Sequence, residues 1–81
     1  MVSINTLLKN YKENKEIIIF KMRGHNNGDI AIVNDIDLES KVVEMRVYAY
    51  TDVEMKKLDK YQTLYINIDE LAAIGPLDYK I

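Results

Sequence analysis

The alternation of apolar and polar residues is most regular in the middle of the chain, between positions 29 and 50. The first half of this segment alternates isoleucines with smaller or charged residues: Ile30, Ile32 and Ile36. The second half alternates two sets of residues: Val43, Met45, Val47 and Ala49 in one, and Glu44, Arg46, Tyr48 and Tyr50 in the other. A period of two is typical of strands with one buried face. The segment therefore predicts a half-buried antiparallel hairpin with a polar turn around residues 38–40.

Residues 1–14 carry a helical pattern instead. Their apolar positions follow the i, i+3, i+4, i+7 spacing of one helical stripe: Ile4, Leu7, Leu8 and Tyr11. Ser3 is placed to cap this helix, because its hydroxyl can accept a first-turn amide hydrogen that has no helical partner. Asn14 is the predicted stop, since Asn tolerates the left-handed conformation found at helix ends. A helix of about ten residues is marginal alone, so we expect it to pack on an end or face of the sheet.

Residues 16–23 (EIIIFKMR) predict the first strand, because β-branched and aromatic residues dominate them. A period of two divides them into two faces: Ile18, Phe20 and Met22 on one, and Ile17, Ile19, Lys21 and Arg23 on the other. Since the first half is apolar on both faces, we expect it to be covered on both sides. The following Asn27-Gly28 pair predicts a tight turn with positive φ at both residues, and hence a hairpin.

The connection between the third and fourth strands has two interpretations. Thr51 and Glu54 match a capping box, which favours one or two helical turns within residues 51–60, whereas a long hairpin loop is the alternative. Residues 61–68 (YQTLYINI) then predict the fourth strand. Its inward side chains are Leu64, Ile66 and Ile68.

The end of the chain predicts one tight turn and one more strand. The expected order is a 3₁₀ turn at residues 69–71, a short strand at 72–74 and a stop at Gly75-Pro76. All elements together predict a single α+β, mainly β domain over residues 1–81. Its parts are an N-terminal helix (1–14), a strongly bent five-stranded antiparallel barrel (16–74) and a tail (75–81).

This order of elements resembles that of SH3-like and Sm-like small barrels. The pieces GDIAIVNDIDLESKVVEM and INIDELAAI are also similar to YolD-like proteins of bacteria and prophages. The matching positions are Gly28, Ile30, Ile36, Asp37, Lys41, Val43, Ile66, Asp69, Leu71 and Ile74. Most of them are core or turn positions, so the resemblance implies a fold first. It further implies a phage or prophage origin and a link to the functions of mobile elements.

Sm proteins hold a uridine with an Asp and an Asn after the second strand and an Arg-Gly pair in the closing turn. Asp37 matches the Asp, whereas Lys41 or a neighbour occupies the Asn position. The segment INIDEL has no Arg-Gly pair. The resemblance therefore does not extend to the Sm type of RNA site.

Size and composition limit the function further. A domain of 81 residues buries only about 60 to 65% of the surface of its unfolded chain, which leaves little room for a deep substrate cavity. Hydrophobic residues make up 48% and charged residues 30%, a normal globular balance. The chain has no Cys, which excludes disulfides and thiolate metal sites. Without an apolar run long enough for a membrane or a signal-peptide pattern, we expect a cytoplasmic protein.

We expect no catalytic residue, cofactor site or metal site. Asp35, Asp37 and Glu39 begin like a calcium loop, but an EF-hand needs Gly at its sixth and Glu at its twelfth position. This chain has Ser40 and Arg46 there. His25 is the one His of the chain and lies in a Gly/Asn-rich turn, where a turn residue is expected.

The most informative functional feature is a row of tyrosines. If the third and fourth strands pair, their outward side chains share one surface: Arg46, Tyr48, Tyr50, Tyr61 and Tyr65. Tyr and Arg are enriched at the centres of protein interfaces, so this surface predicts contact with another protein or with a second copy of the chain. Two other interpretations remain open: the rings stabilise the sheet or lie under the helix.

A third interpretation is stacking of nucleic-acid bases on these rings. It would also use five basic residues: Lys21, Arg23, Lys56, Lys57 and Lys60. The net charge of −2 disfavours this function, because backbone phosphates require a basic surface. The charge is also uneven, since residues 29–54 carry seven acidic against two basic side chains.

Overall fold

The computed structural model of the protein describes residues 2–48 and 60–77. Its elements are α1 (Ile4–Asn14), β1 (Ile17–Met22), β2 (Asp29–Asp37), β3 (Val42–Tyr48), β4 (Tyr61–Asn67), a 3₁₀ turn (Ile68–Glu70) and β5 (Leu71–Pro76). The strands form one antiparallel sheet in the order β4-β3-β2-β1-β5. This confirms a mainly β chain with an N-terminal helix. The sheet is not closed, because β4 and β5 lie at its two ends.

Helix α1 begins as predicted. The hydroxyl of Ser3 accepts the backbone N–H of Thr6 at 3.1 Å. Asn14 is the last helical residue, but Lys15 and not Asn14 adopts the left-handed conformation, with φ of 49°. The N–H groups of Lys15 and Glu16 then donate to the carbonyls of Lys12 and Tyr11, which pairs carbonyls of the last turn.

The hydrophobic core lies between α1 and one face of the sheet. Leu8 and Tyr11 of the helix are buried there. They belong to one cluster with residues of the sheet and of the 3₁₀ turn: Ile18, Phe20, Ala31, Val33, Val43, Met45, Ile66, Ile68 and Leu71. The two predicted faces of β1 are confirmed. The expected cover on both sides is wrong, since Ile17 and Ile19 are 37% and 39% exposed.

A β-bulge in β2 interrupts the alternation that the sequence suggested. Val33 pairs with Met45, whereas Asp35, two residues later, pairs with Glu44, the immediate neighbour of Met45. The extra residue, Asn34, shifts the side chains that follow it to the opposite face. Ile30 and Ile32 therefore lie on the face away from the core, whereas Ile36 packs against the core.

The β1–β2 connection turns at a different residue from the predicted one. Gly24 has a φ of 82°, whereas neither Asn27 nor Gly28 has a positive φ, so the predicted turn residues are wrong. The predicted hairpin is confirmed, since β1 and β2 pair antiparallel. Gly28 is needed for space instead. A Cβ there would lie 3.0 Å from Cγ1 of Ile19.

The closing part of the chain differs from the prediction by a few residues. Asn67 ends β4, and its side chain accepts the N–H of Asp69 at 2.9 Å, which starts the 3₁₀ turn one residue early. Strand β5 continues through Gly75 and Pro76, which were expected to stop it. Pro is tolerated there because β5 is an edge strand. Tyr50, residues 51–59 and residues 78–81 lie outside the described residues.

Leu64 shares the core-facing side of β4 with Ile66 but is 38% exposed. It pairs with Met45 at the last strand of the sheet. The prediction that Leu64 points inward is therefore correct for its face, but Leu64 is less buried than expected.

We predict that Gly24→Ala lowers the free energy of unfolding by about 1 kcal/mol, because only Gly adopts a φ of 82° without strain. No atom lies within 4 Å of the added Cβ, so conformational strain accounts for the loss. Gly75→Ala is the matched control, since its Cβ also meets nothing within 4 Å and its φ is not positive. Urea denaturation measures both variants. Equal stabilities would contradict the prediction.

Candidate protein-binding face

The strand register defines a second face of the sheet, which we call the outer face. Its residues alternate with the core residues and so lie on the side of the sheet opposite α1. Asp35 is an exception in its contacts, since its carboxylate pairs with Lys12 of α1 at 3.3 Å. Its members are Ile17, Ile19 and Lys21 of β1, Ile30, Ile32 and Asp35 of β2, Glu44, Arg46 and Tyr48 of β3, Tyr61, Thr63 and Tyr65 of β4, and Ala73 and Gly75 of β5.

The predicted tyrosine surface is part of this outer face. Arg46 pairs with Thr63, and Tyr48 pairs with Tyr61. Tyr65 pairs with Glu44 on the same side. The register therefore confirms that Arg46, Tyr48, Tyr61 and Tyr65 share one face. Tyr50 lies outside the described residues.

Exposure differs among these side chains. Tyr61 is 51% and Tyr65 is 70% exposed, so the interpretation that the helix covers the rings is wrong for both. The helix packs on the opposite face. Tyr48 is only 8% exposed, which corrects its expected exposure. It lies in the middle of a row, between Ile30 of β2, which is 6% exposed, and Tyr61 of β4, whose ring packs against it.

Arg46 is held by an aromatic ring and retains unused hydrogen-bonding capacity. Its Cζ lies 4.5 Å from the ring centroid of Tyr61, a cation–π contact. The Tyr61 ring in turn packs against Tyr48, with centroids 5.8 Å apart. The Nε of Arg46 is buried and has no hydrogen-bond partner. Within residues 2–48 and 60–77, Arg46 forms no ion pair.

The outer face becomes acidic at one end. Asp35, Asp37, Glu44 and Tyr65 line a shallow cleft there. Glu44 accepts a hydrogen bond from the phenol of Tyr65, and this bond and the carboxylate charge raise the pKa of Tyr65 above 10.0. This end of the face therefore carries negative charge at neutral pH.

Two of these carboxylates are engaged with their own turn and helix. Asp37 accepts the N–H groups of Glu39 and Ser40 at 3.1 and 3.2 Å. Hydrogen bonds from the side chain and the N–H of Ser40 lower the pKa of Asp37. The N–H of Ile36 and, to a smaller extent, Lys12 at 3.3 Å lower the pKa of Asp35. Among the described residues, no group of three or more His, Cys, Asp or Glu side chains is arranged to hold a metal ion.

The basic residues of the nucleic-acid interpretation are not brought together. Lys21 lies on the outer face of β1, and Lys60 precedes β4, three strands away in the sheet. Arg23 follows β1, and its N–H donates to the carbonyl of Glu70 at 2.7 Å. Lys56 and Lys57 lie outside the described residues. His25 is in the β1–β2 turn, where its N–H donates to Met22.

The isoleucines of the outer face were missed as functional candidates. Ile17 and Ile19 extend the tyrosine surface across β1, with Ile32 between β1 and Arg46. The sequence could have indicated them, because positions 17–20 are apolar on both faces of the strand. That run was interpreted as cover on both sides, although an apolar face left in solvent gives the same pattern.

No protein-family model, curated protein or solved structure matches the chain. In the described part of the chain, α1 is too short to be a membrane-spanning helix.

We predict that Asp37→Asn reduces the loss of stability at acid pH. The pKa of Asp37 is lowered in the folded state, so its contribution is complete above the unfolded pKa, near 3.8, and disappears as the pH falls through the folded value. Asn keeps the acceptor oxygen but cannot be protonated in this range. Urea midpoints measured from about pH 6 to about pH 2 should fall less for this variant than for the wild type.

Glu39→Gln is the control for this experiment. Glu39 lies in the same turn, where its N–H donates to Asp37, and the substitution removes one exposed carboxylate without touching that bond. It should follow the wild-type pH dependence. Identical curves for all three proteins would contradict a role for the Asp37 charge.

We also predict that Arg46→Met leaves the free energy of unfolding within about 1 kcal/mol of the wild type. The variant loses a cation–π contact but also removes a buried N–H without an acceptor, and these effects oppose each other. Met45→Ala is the comparison, because Met45 is fully buried on the core face and should cost about 2 to 5 kcal/mol. A loss of that size for Arg46→Met would show that Arg46 is structural.

Proposed function

We propose that the protein is a non-enzymatic protein-binding or regulatory module whose contact surface is the outer face. Arg46, Tyr48, Tyr61 and Tyr65 form one half of this surface, and Ile17, Ile19, Ile30 and Ile32 form the other half. Tyr50, which lies outside the described residues, belongs to the proposed contact set from its sequence position alone. The observation that carries the proposal is an apolar and aromatic sheet face in which Ile17, Ile19 and Tyr61 are each more than a third exposed, whereas Ile30 and Tyr48 between them are buried. Such exposed patches typically mark interaction sites.

The chemistry of the face favours one kind of ligand. Its centre offers aliphatic side chains and rings to an apolar partner segment. Arg46 offers a positive charge that has no ion-pair partner among the described residues. A carboxylate of the partner can pair with this charge, and a charge-assisted bond in an apolar setting is stronger than one in water. We therefore expect an apolar partner sequence that includes an acidic residue.

The proposal includes a fold relationship. The strand order β4-β3-β2-β1-β5 and the 3₁₀ turn between β4 and β5 support an SH3-like or Sm-like small-barrel type. The similarity to YolD-like proteins supports a bacterial or phage origin. These relationships concern the framework, whereas the function is argued from the outer face alone.

Nucleic-acid binding is the alternative function. The exposed rings of Tyr61 and Tyr65 favour it, because single-stranded bases stack on such rings. Asp35 and Glu44 disfavour it, since they lie on the same face and would repel phosphates.

A peptide selection tests the proposed function. A random peptide library is selected against the immobilised full chain, and the enriched peptides are measured by fluorescence polarisation. We expect apolar peptides with an acidic residue whose affinity falls at least tenfold, about 1.4 kcal/mol, for Tyr61→Ala/Tyr65→Ala. Leu38→Ala is the control, because Leu38 is 46% exposed but is not part of the outer face.

Peptides that bind the double tyrosine variant as tightly as the wild type would contradict the proposal. A single-stranded oligonucleotide is measured in parallel by filter binding across a salt series. Tight binding at low salt that falls steeply as salt rises would favour the nucleic-acid alternative instead.

A further inference from the structure

The strand register arranges the outer face in parallel rows that run across the strands. Adjacent rows are about 7 Å apart, the length of two strand residues. One central row contains Ile17, Ile32, Arg46 and Thr63. The next contains Ile19, Ile30, Tyr48, Tyr61 and Gly75. These two central rows are apolar or aromatic apart from Arg46 and Thr63. Ile30 and Tyr48 are buried within one copy, so the exposed contact residues of these rows include Ile17, Ile19 and Tyr61.

The rows on either side of this centre carry opposite charges. Asp35, Glu44 and Tyr65 form the row beyond Arg46. Lys21 and Ala73 form the row beyond Ile19. The outer face is therefore acidic at one end, apolar in the middle and basic at the other end. A surface with this arrangement is complementary to itself when one copy is reversed along the strands.

We propose that a second copy of this chain occupies the outer face, related to the first by a two-fold axis that runs across the strands between the two central rows. This inference rests on the proposed function, because it names the partner of the same surface. Rotation about that axis places one central row over the other. It also brings Lys21 of each copy to the acidic row of the other, which contains Glu44 and Asp35; the Asp35 carboxylate already pairs with Lys12 of its own chain at 3.3 Å.

This arrangement also brings Arg46 close to hydrogen-bond acceptors of the second copy. The two-fold axis places it over the row of the second copy that contains Tyr48 and Tyr61. The phenol oxygens there can accept hydrogen bonds from its guanidinium group, which forms no ion pair among the described residues. Aligned packing of two antiparallel sheets, with an angle of about 30° between strand directions, is an ordinary geometry.

The area of the face suits a reversible dimer. Five strands about 4.8 Å apart and four rows about 7 Å apart give a projected area of the order of 500 Å² per copy. Two copies then bury about 1,000 Å², the lower end of specific interfaces. We expect a dissociation constant in the micromolar range.

Sedimentation velocity on the full chain tests this inference, from about 5 to about 500 μM, a range that brackets the expected dissociation constant. The wild type should shift from monomer to dimer. Lys21→Glu should weaken the dimer at least tenfold, because it places a carboxylate against the acidic row. Asp35→Lys/Glu44→Lys should weaken it similarly, because it places lysines against Lys21.

The decisive sample is an equimolar mixture of these two variants. Each contact in the mixed pair again joins opposite charges, so the mixture should dimerise although neither variant does alone. Lys9→Glu is the control, since it changes the charge by the same amount on α1, away from the outer face. It should dimerise like the wild type and should not bring Asp35→Lys/Glu44→Lys into a dimer. Circular dichroism checks that every variant is folded.

A wild type that stays monomeric at the highest concentration would overturn this inference and leave the peptide selection as an independent test of the proposed function. A dimer that is lost in Tyr61→Ala/Tyr65→Ala but unaffected by the charge reversals, or not restored in the mixture, would also overturn it, while the outer face would remain a binding surface.

Discussion

The structure depends on a sheet with two apolar faces and a helix that packs on only one of them. Both faces of the five-stranded sheet carry apolar rows, whereas α1 is the one helix among the described residues and packs on one face. Leu8 and Tyr11 pack on the face that includes Ile18 and Met45. On the opposite face, Ile17 and Ile19 stay in contact with solvent. A domain this small has limited area for its core, and Ile17 and Ile19 lie outside that core.

The bulge in β2 determines what the outer face contains. It allows Val33 and Ile36, three residues apart, to face the core together, although a regular strand would place them on opposite faces. The residues before the bulge, Ile30 and Ile32, are consequently on the outer face beside Arg46 and Tyr48. The residue after it, Asp35, brings a charge to the edge of the same face. The extra residue, Asn34, thus gives the outer face both an apolar centre and an acidic end.

Much of this fold follows from the sequence, and the failures have physical causes. Period-two alternation predicts the faces of β1, β3 and β4 correctly, because each has no bulge among the residues that define its face. The alternation fails in β2, since a bulge depends on pairing with β3 and leaves no local signal at Asn34. The buried state of Tyr48 depends on lateral neighbours from two other strands. Which face of β1 becomes buried depends on where α1 packs. The sequence of β1 is apolar on both faces at positions 17–20 and so does not determine this.

One pair of substitutions tests most directly which face of β1 packs against the core. Ile17 and Ile18 are adjacent and chemically identical, but Ile18 is fully buried in the core and Ile17 is 37% exposed on the outer face. The free energy of unfolding is measured for Ile17→Lys and Ile18→Lys. We expect Ile18→Lys to lose more than about 4 kcal/mol or fail to fold, and Ile17→Lys to lose about 1 kcal/mol or less. Equal losses, or a larger loss at Ile17, would contradict the assignment of the two faces.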